Sequence, residues 1–194
     1  MAQDSLGVPP IPVHLSSLPT VGGLVVPYIT LRHRNGTAAL GLVDYSRMAH
    51  CFQEHRCGVC GEVVADRLVF LMRGMDLIRA RSAEPGLCPP CAAYTMAACP
   101  MVAGQMAHYR RTRPTFLRRQ CGDPECTCSQ WASNAEPNRY GANAEQWFAL
   151  WTVEYRLVRA KDGRLEADFS GMQVLRVREV RTHLDAAEGT EPSA

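Results

Sequence analysis

A chain of 194 residues, 46% hydrophobic and 21% charged, has the composition of a folded protein and the length to bury a real core. Its formal net charge of +2 excludes a polycation, so any nucleic-acid surface must be local. No apolar run approaches the ~18–20 residues of a membrane span, and the N-terminus lacks the basic-then-apolar pattern of a secretory signal. Those absences, with nine cysteines, predict a reducing, cytoplasmic location in which clustered thiols hold metal more often than they form disulfides.

Residues 1–22 are proline-rich with little periodicity and are expected to be an extended lead-in. Leu24–Leu31 is β-rich, Arg34-Asn35-Gly36 supplies a hairpin turn, and Thr37–Val43 returns as a second strand. Pro27 points to an edge position for the first strand. Asp44 is a good N-cap for a short helix over Tyr45–His55. Val63–Val64 and Leu68–Met72 predict a strand, with a second near Asp76–Arg81. Cys88-Pro-Pro-Cys91 opens the alanine-rich stretch 92–98, a helix whose first turn tolerates proline. Pro100 is expected to separate it from a further segment over Met101–Arg111.

Residues 108–119 hold five arginines and no acid, and Cys121-x4-Cys126-x-Cys128 follows. Residues 129–145 are polar and loop-like. Trp147, Ala149, Trp151, Val153, Tyr155 and Leu157 alternate, which predicts one strand. Lys161-Asp162-Gly163 turns it onto Leu165, Ala167 and Phe169. Val174–Leu184 fits a short helix or a strand, and 185–194 a disordered tail. The expected organisation is a lead-in (1–22), a core (23–111), a basic and cysteine-rich segment (112–145), a C-terminal β-hairpin with one more element (146–184) and the tail.

Chemistry concentrates in Cys57-Gly-Val-Cys60 and Cys88-Pro-Pro-Cys91. Two Cys-x2-Cys pairs give four thiolates in the spacing that closes a tetrahedral zinc site, with sulfur at ~2.3 Å. A turn bearing one pair, a β-hairpin, then a helix starting at the other pair is the order of a treble-clef knot. The predicted fold class is therefore α+β, with that knot between an N-terminal hairpin and a C-terminal one. A full shell of four sulfurs leaves no position for a water nucleophile, so the site is read as structural.

Cys121, Cys126 and Cys128 are candidates for a second zinc, with Cys99, His108, His55 or Cys51 as a fourth ligand. Their spacing matches neither common ferredoxin run, which argues against an iron–sulfur cluster. Cys51 and Cys99 otherwise read as buried small hydrophobes. Arg110, Arg111, Arg113, Arg118 and Arg119, with Tyr109 and Phe116, form a candidate nucleic-acid footprint, since guanidinium groups bind phosphate bidentately and aromatic rings stack on bases. A solvated helix face or intraprotein ion pairs would explain the same run. A His-Asn-His nuclease is disfavoured, because residues 61–87 contain neither His nor Asn.

Val26-Pro27-Tyr28, Met48-Ala49-His50-Cys51, Cys57-Gly-Val-Cys60-Gly61, the stretch Cys91–Met101 and Trp151–Arg156 together resemble a family of small cysteine-rich proteins of actinobacteria and their phages. Members of that family carry His where this chain has Cys88, so the resemblance implies a metal role for the position, His and Cys both being zinc ligands. It implies no activity, and the segment Cys121–Cys128 departs from the family pattern. The favoured reading is a non-enzymatic zinc-binding module that presents its arginines to nucleic acid or an acidic protein. The alternative is a metal-dependent or redox enzyme of a specialised biosynthetic pathway, built on Cys121, Cys126 and Cys128.

Overall fold

The computed structural model describes residues 9–109, 111, 123–128, 132–133 and 141–180. From Pro9 on, the lead-in carries more local structure than expected. A 3-10 turn, Val13–Leu15, sinks Leu15 completely into the core. Strand β1 (Thr20–Val21) then pairs with β2 (Leu24–Val25).

The strand expected over Leu24–Leu31 is interrupted at Pro27. Proline has no N–H for a ladder, and after it the chain turns, Thr30 N–H donating to Pro27 O at 3.0 Å. Pairing resumes in β3 (Thr30–Arg32) with β4 (Ala38–Asp44). Between them His33 N–H bonds Thr37 O at 2.9 Å. Asp44 caps α1 (Tyr45–Gln53), its Oδ1 accepting from the amides of Ser46 and Arg47 at 2.9 and 3.1 Å.

Strand β5 (Leu68–Arg73) is buried along its whole length, as an unbroken apolar run requires. A β-hairpin does not follow. Asp76 caps the turn, its Oδ2 accepting from Arg73 Nε at 2.7 Å and from the Arg73 amide at 3.2 Å. That cap starts α2 (Gly74–Arg79) where the second strand was expected. Only β6 (Arg81–Ser82) is extended there, and it joins another sheet. What remains of the expected hairpin is one antiparallel bridge, in which Val69 and Leu87 exchange bonds of 2.8 and 2.9 Å.

Helix α3 (Pro89–Ala98) begins at Cys88 as N-cap with prolines in its first turn. Met101–Arg111 is not a helix where it is described. A single turn closes with Ala103 N–H on Cys99 O and Gln105 N–H on Pro100 O, and Gly104 leaves it at φ +71°. Ala132–Ser133 form a short β7 against β4.

The strand expected over 147–157 is two strands, β8 (Trp147–Thr152) and β9 (Arg156–Arg159). Thr152 explains the break. Its hydroxyl donates to Glu154 O at 2.6 Å and accepts from Glu154 N–H at 3.2 Å, which folds the chain sharply. Strand β9 turns at Lys161–Gly163 onto β10 (Leu165–Asp168), and β11 (Val174–Glu179) settles the helix-or-strand alternative as strand. The segment 185–194 lies outside the described residues.

The result is a mixed α/β chain with few helices and several small sheets. The three-stranded sheets run β11-β8-β5, β6-β10-β9 and β3-β4-β7. Strand β5 separates two apolar clusters. Val69 and Leu71 face α3, Leu15 and Trp147, while Phe70 and Met72 face Met48, Phe52 and Phe169. Cys57 and Cys91 belong to the first cluster. No helix among the described residues is long and apolar enough to cross a membrane.

Candidate metal centre

The sulfurs of Cys57, Cys60, Cys88 and Cys91 all lie within 4.8 Å of one another. A tetrahedral ion with ~2.3 Å bonds to sulfur needs S···S edges of about 3.8 Å, which falls inside that bound. Cys57 and Cys91 are fully buried, whereas Cys60 and Cys88 are half-buried at the rim. This group could hold a metal ion.

The first pair sits on a tight turn. Gly61 N–H bonds Cys57 O and Cys57 N–H bonds Glu62 O, both at 2.8 Å. Gly61 adopts φ +79°, and a Cβ there would lie 2.8 Å from the Tyr28 ring. Both facts select glycine. The turn is held from outside by the N-terminal chain, as Tyr28 and Ile29 donate their amides to Val59 O and Gly58 O at 2.8 and 3.2 Å. The second pair is positioned by the start of α3 and by the Val69–Leu87 bridge immediately before it.

The electrostatics favour a cation. The backbone N–H groups of Cys60, Glu62 and Cys91 lie beside the sulfurs of Cys57, Cys60 and Cys88 and stabilise their thiolates. Sulfur–sulfur hydrogen bonding, helped by burial, pushes the Cys57 and Cys91 thiols up. The same contacts draw Cys60 down to about 6 and Cys88 well below the ordinary thiol range. Without a cation the four sulfurs must share protons, because four thiolates at this separation repel. A divalent ion removes the need.

Sequence reasoning missed His14. Its Nε2 lies 3.4 Å from the Cys91 sulfur, brought there by the 3-10 turn of the lead-in. A ring N–H donated to a ligating sulfur offsets part of its charge. The contact spans 77 positions, and no local pattern marks it.

A second group joins His33, Cys126 and Cys128, whose ligand atoms also lie within 4.8 Å of one another. None of the four expected partners takes part. Cys51 is buried in α1 with its thiol on Cys57 O at 3.9 Å, and burial pushes its pKa up to about 12. Cys99 caps α3, with its thiol also raised by burial. His55 stacks on Tyr155 at 4.7 Å, and His108 bridges to Asn143. His33 comes from the β3–β4 turn, far from the cysteines in sequence, and was not foreseen.

Cys121, Arg110, Arg113, Arg118 and Arg119 lie outside the described residues. Arg111 is exposed beside Gly141. No family model, curated protein or solved structure matches the chain.

Proposed function

We propose that this chain is a non-enzymatic zinc-binding module of treble-clef type, in which Cys57, Cys60, Cys88 and Cys91 hold a structural zinc ion. One observation carries the reading: four sulfurs converge on one point, two of them inside the main apolar core and two at its rim. Zinc suits an all-sulfur tetrahedron and has no redox chemistry of its own. With four thiolates the centre carries a net charge of −2, which repels anionic nucleophiles and substrates alike. A turn bearing one pair and a helix start bearing the other are the treble-clef ligand positions, with the Val69–Leu87 bridge in place of its hairpin. Cys57, Cys60 and Cys91 fall in the motifs through which the sequence resembles the actinobacterial and phage family, whose members carry His at the position of Cys88, and the module is assigned to the cytoplasm.

The knot presents the Arg110–Arg119 segment to nucleic acid or an acidic protein. The test pairs metal content by mass spectrometry with nucleic-acid binding at several salt concentrations. One zinc in the four-sulfur knot and salt-dependent binding lost when Arg110, Arg111, Arg118 and Arg119 become Ala are expected. Binding indifferent to those changes refutes the arginine surface. Metal-free protein with native stability refutes the knot.

A second reading, a metal-dependent or redox enzyme, draws on a different observation. Cys126 and Cys128 converge with a histidine at the edge of a cleft rather than inside the core.

A further inference from the structure

The cleft beside β3, β4 and α1 encloses about 630 Å³ and is lined by Arg32, His33, Arg47, His50, Cys126 and Cys128 among others. It holds the second ligand group, and its chemistry differs from that of the four-sulfur knot. The thiols arrive on the loop 123–128, which is anchored at several points. Glu125 N–H bonds Asp123 Oδ1 at 3.0 Å, and Cys126 N–H bonds Asp123 O at 3.1 Å. Arg34 pairs with Glu125 and lies 3.8 Å from Asp123. The Arg34 amide donates to the Cys126 sulfur at 3.4 Å, the kind of N–H···S contact that favours thiolate over thiol. Cys128 packs on Leu31, Ala39 and Leu42, which fixes it against the hairpin that carries His33.

Two thiolates and a neutral imidazole exactly balance a divalent cation, so such a centre is electrically neutral. Among the described residues three ligands converge, and three protein ligands with a fourth position open is the arrangement of zinc sites that bind an exogenous group. The positive charge of the cleft is unevenly compensated. Arg34 is taken up by Asp123 and Glu125. Arg47 lies 3.8 Å from Asp44 and donates to Tyr28 O at 3.1 Å. The Arg32 Nε is buried with no hydrogen-bond partner among the described residues, and Arg32 forms no ion pair there. A buried guanidinium N–H left without an acceptor is costly, and an oxyanion in the cleft would supply one.

We propose that His33, Cys126 and Cys128 bind a second zinc ion whose fourth position opens onto this cleft, and that an oxyanion of phosphate or carboxylate type occupies it against Arg32 and Arg47. The site does not depend on the four-sulfur knot, so either can fail alone. It gives Cys126 and Cys128 a partner more than 90 positions away in the chain. It also gives the metal-dependent reading a definite ligand class.

The test uses the full chain, purified anaerobically. Wild-type protein is expected to carry two zinc ions, and His33→Ala one, with the melting transition of the four-sulfur core retained. A wild-type content of one, or two in His33→Ala, overturns the second site. Cobalt-exchanged wild type titrated with inorganic phosphate then reads the open position without relying on any variant. A change in the visible cobalt bands that saturates, and that weakens at least tenfold in Arg32→Gln, is expected. Cobalt bands indifferent to phosphate overturn the open position. So does Cys121→Ser binding only one metal, because Cys121 is then the fourth ligand.

Discussion

Replacing Gly61 by Ala tests how tightly the first cysteine turn is built into the fold. Two costs follow from the geometry. A non-glycine residue at φ +79° is strained by about 1–2 kcal/mol. The new Cβ would also lie 2.8 and 2.9 Å from two carbons of the Tyr28 ring, well inside the ~3.5–4.0 Å of a favourable carbon contact. The ring cannot retreat freely, because the Tyr28 amide is bonded to Val59 O at 2.8 Å and the Arg47 guanidinium sits 5.5 Å from the ring centroid. Overpacking of this kind costs about 1–3 kcal/mol, so the sum is about 2–5 kcal/mol. For a domain of this size that lowers the melting temperature by roughly 5–15 °C. Gly36→Ala is the control. Gly36 has φ +84° with nothing within 4 Å of a new Cβ, so it carries the backbone cost alone. The assay is thermal and urea denaturation of both variants, with zinc loss to a chromogenic chelator followed in parallel. Gly61→Ala should be the less stable by at least 1 kcal/mol and release metal faster. Equal stabilities would refute the claim that Tyr28 braces the cysteine turn.

Removing the metal should unfold the chain, since structural zinc supplies about 10–16 kcal/mol against a total domain stability of about 5–15 kcal/mol. Near-ultraviolet circular dichroism, reporting the buried Trp147, should collapse on chelation and return with zinc. Tyr155→Phe deletes the hydroxyl that donates to Phe52 O at 2.6 Å while keeping the ring against His55 and Phe70. The loss should be about 1–2 kcal/mol in urea denaturation. Asp168 gives a pH dependence. Hydrogen bonds from Ser170, then Arg156, draw its carboxyl to about 2. A carboxylate below its unfolded value of ~3.9 stabilises the fold above that pH and loses the contribution as pH falls through its folded value. Asp168→Asn should therefore be less stable by about 1 kcal/mol at pH 6, with the gap closing towards pH 2.

The four-sulfur group was legible because its ligands come as two local pairs whose spacing states their geometry. The cap at Asp44, the helix at Cys88 and the turn at Lys161–Gly163 were legible for the same reason, each being a signal contained within a few residues. The errors came from side-chain hydrogen bonds two or three residues apart that override the apolar pattern. Alternation through 147–157 is continuous in sequence, but the Thr152 hydroxyl bends the chain and sends its halves to different sheets. Asp76–Arg81 is apolar enough for a strand, yet the Arg73–Asp76 pair caps it as a helix. His14 and His33 were invisible because each reaches its sulfur partners across a long stretch of sequence, 77 positions in the case of His14.

The two ligand groups occupy different mechanical positions, and that bears on what each does. The four-sulfur group lies in the apolar cluster that contains Leu15, Val69, Leu87 and Trp147, so it fastens the lead-in, β5, α3 and β8 at one point. Its two buried cysteines cannot be reached without opening that core. The His33 group rests on a small satellite cluster of Leu31, Ala39 and Leu42, and its loop is anchored by exposed ion pairs at Arg34. Exposed pairs of that kind contribute about 0–1 kcal/mol each. A change at this loop therefore costs the rest of the fold little. A four-sulfur group built into the core, beside a three-residue group at a cleft, would divide stability from binding within one chain. That division favours seeking the ligand at His33 and the folding energy at Cys57.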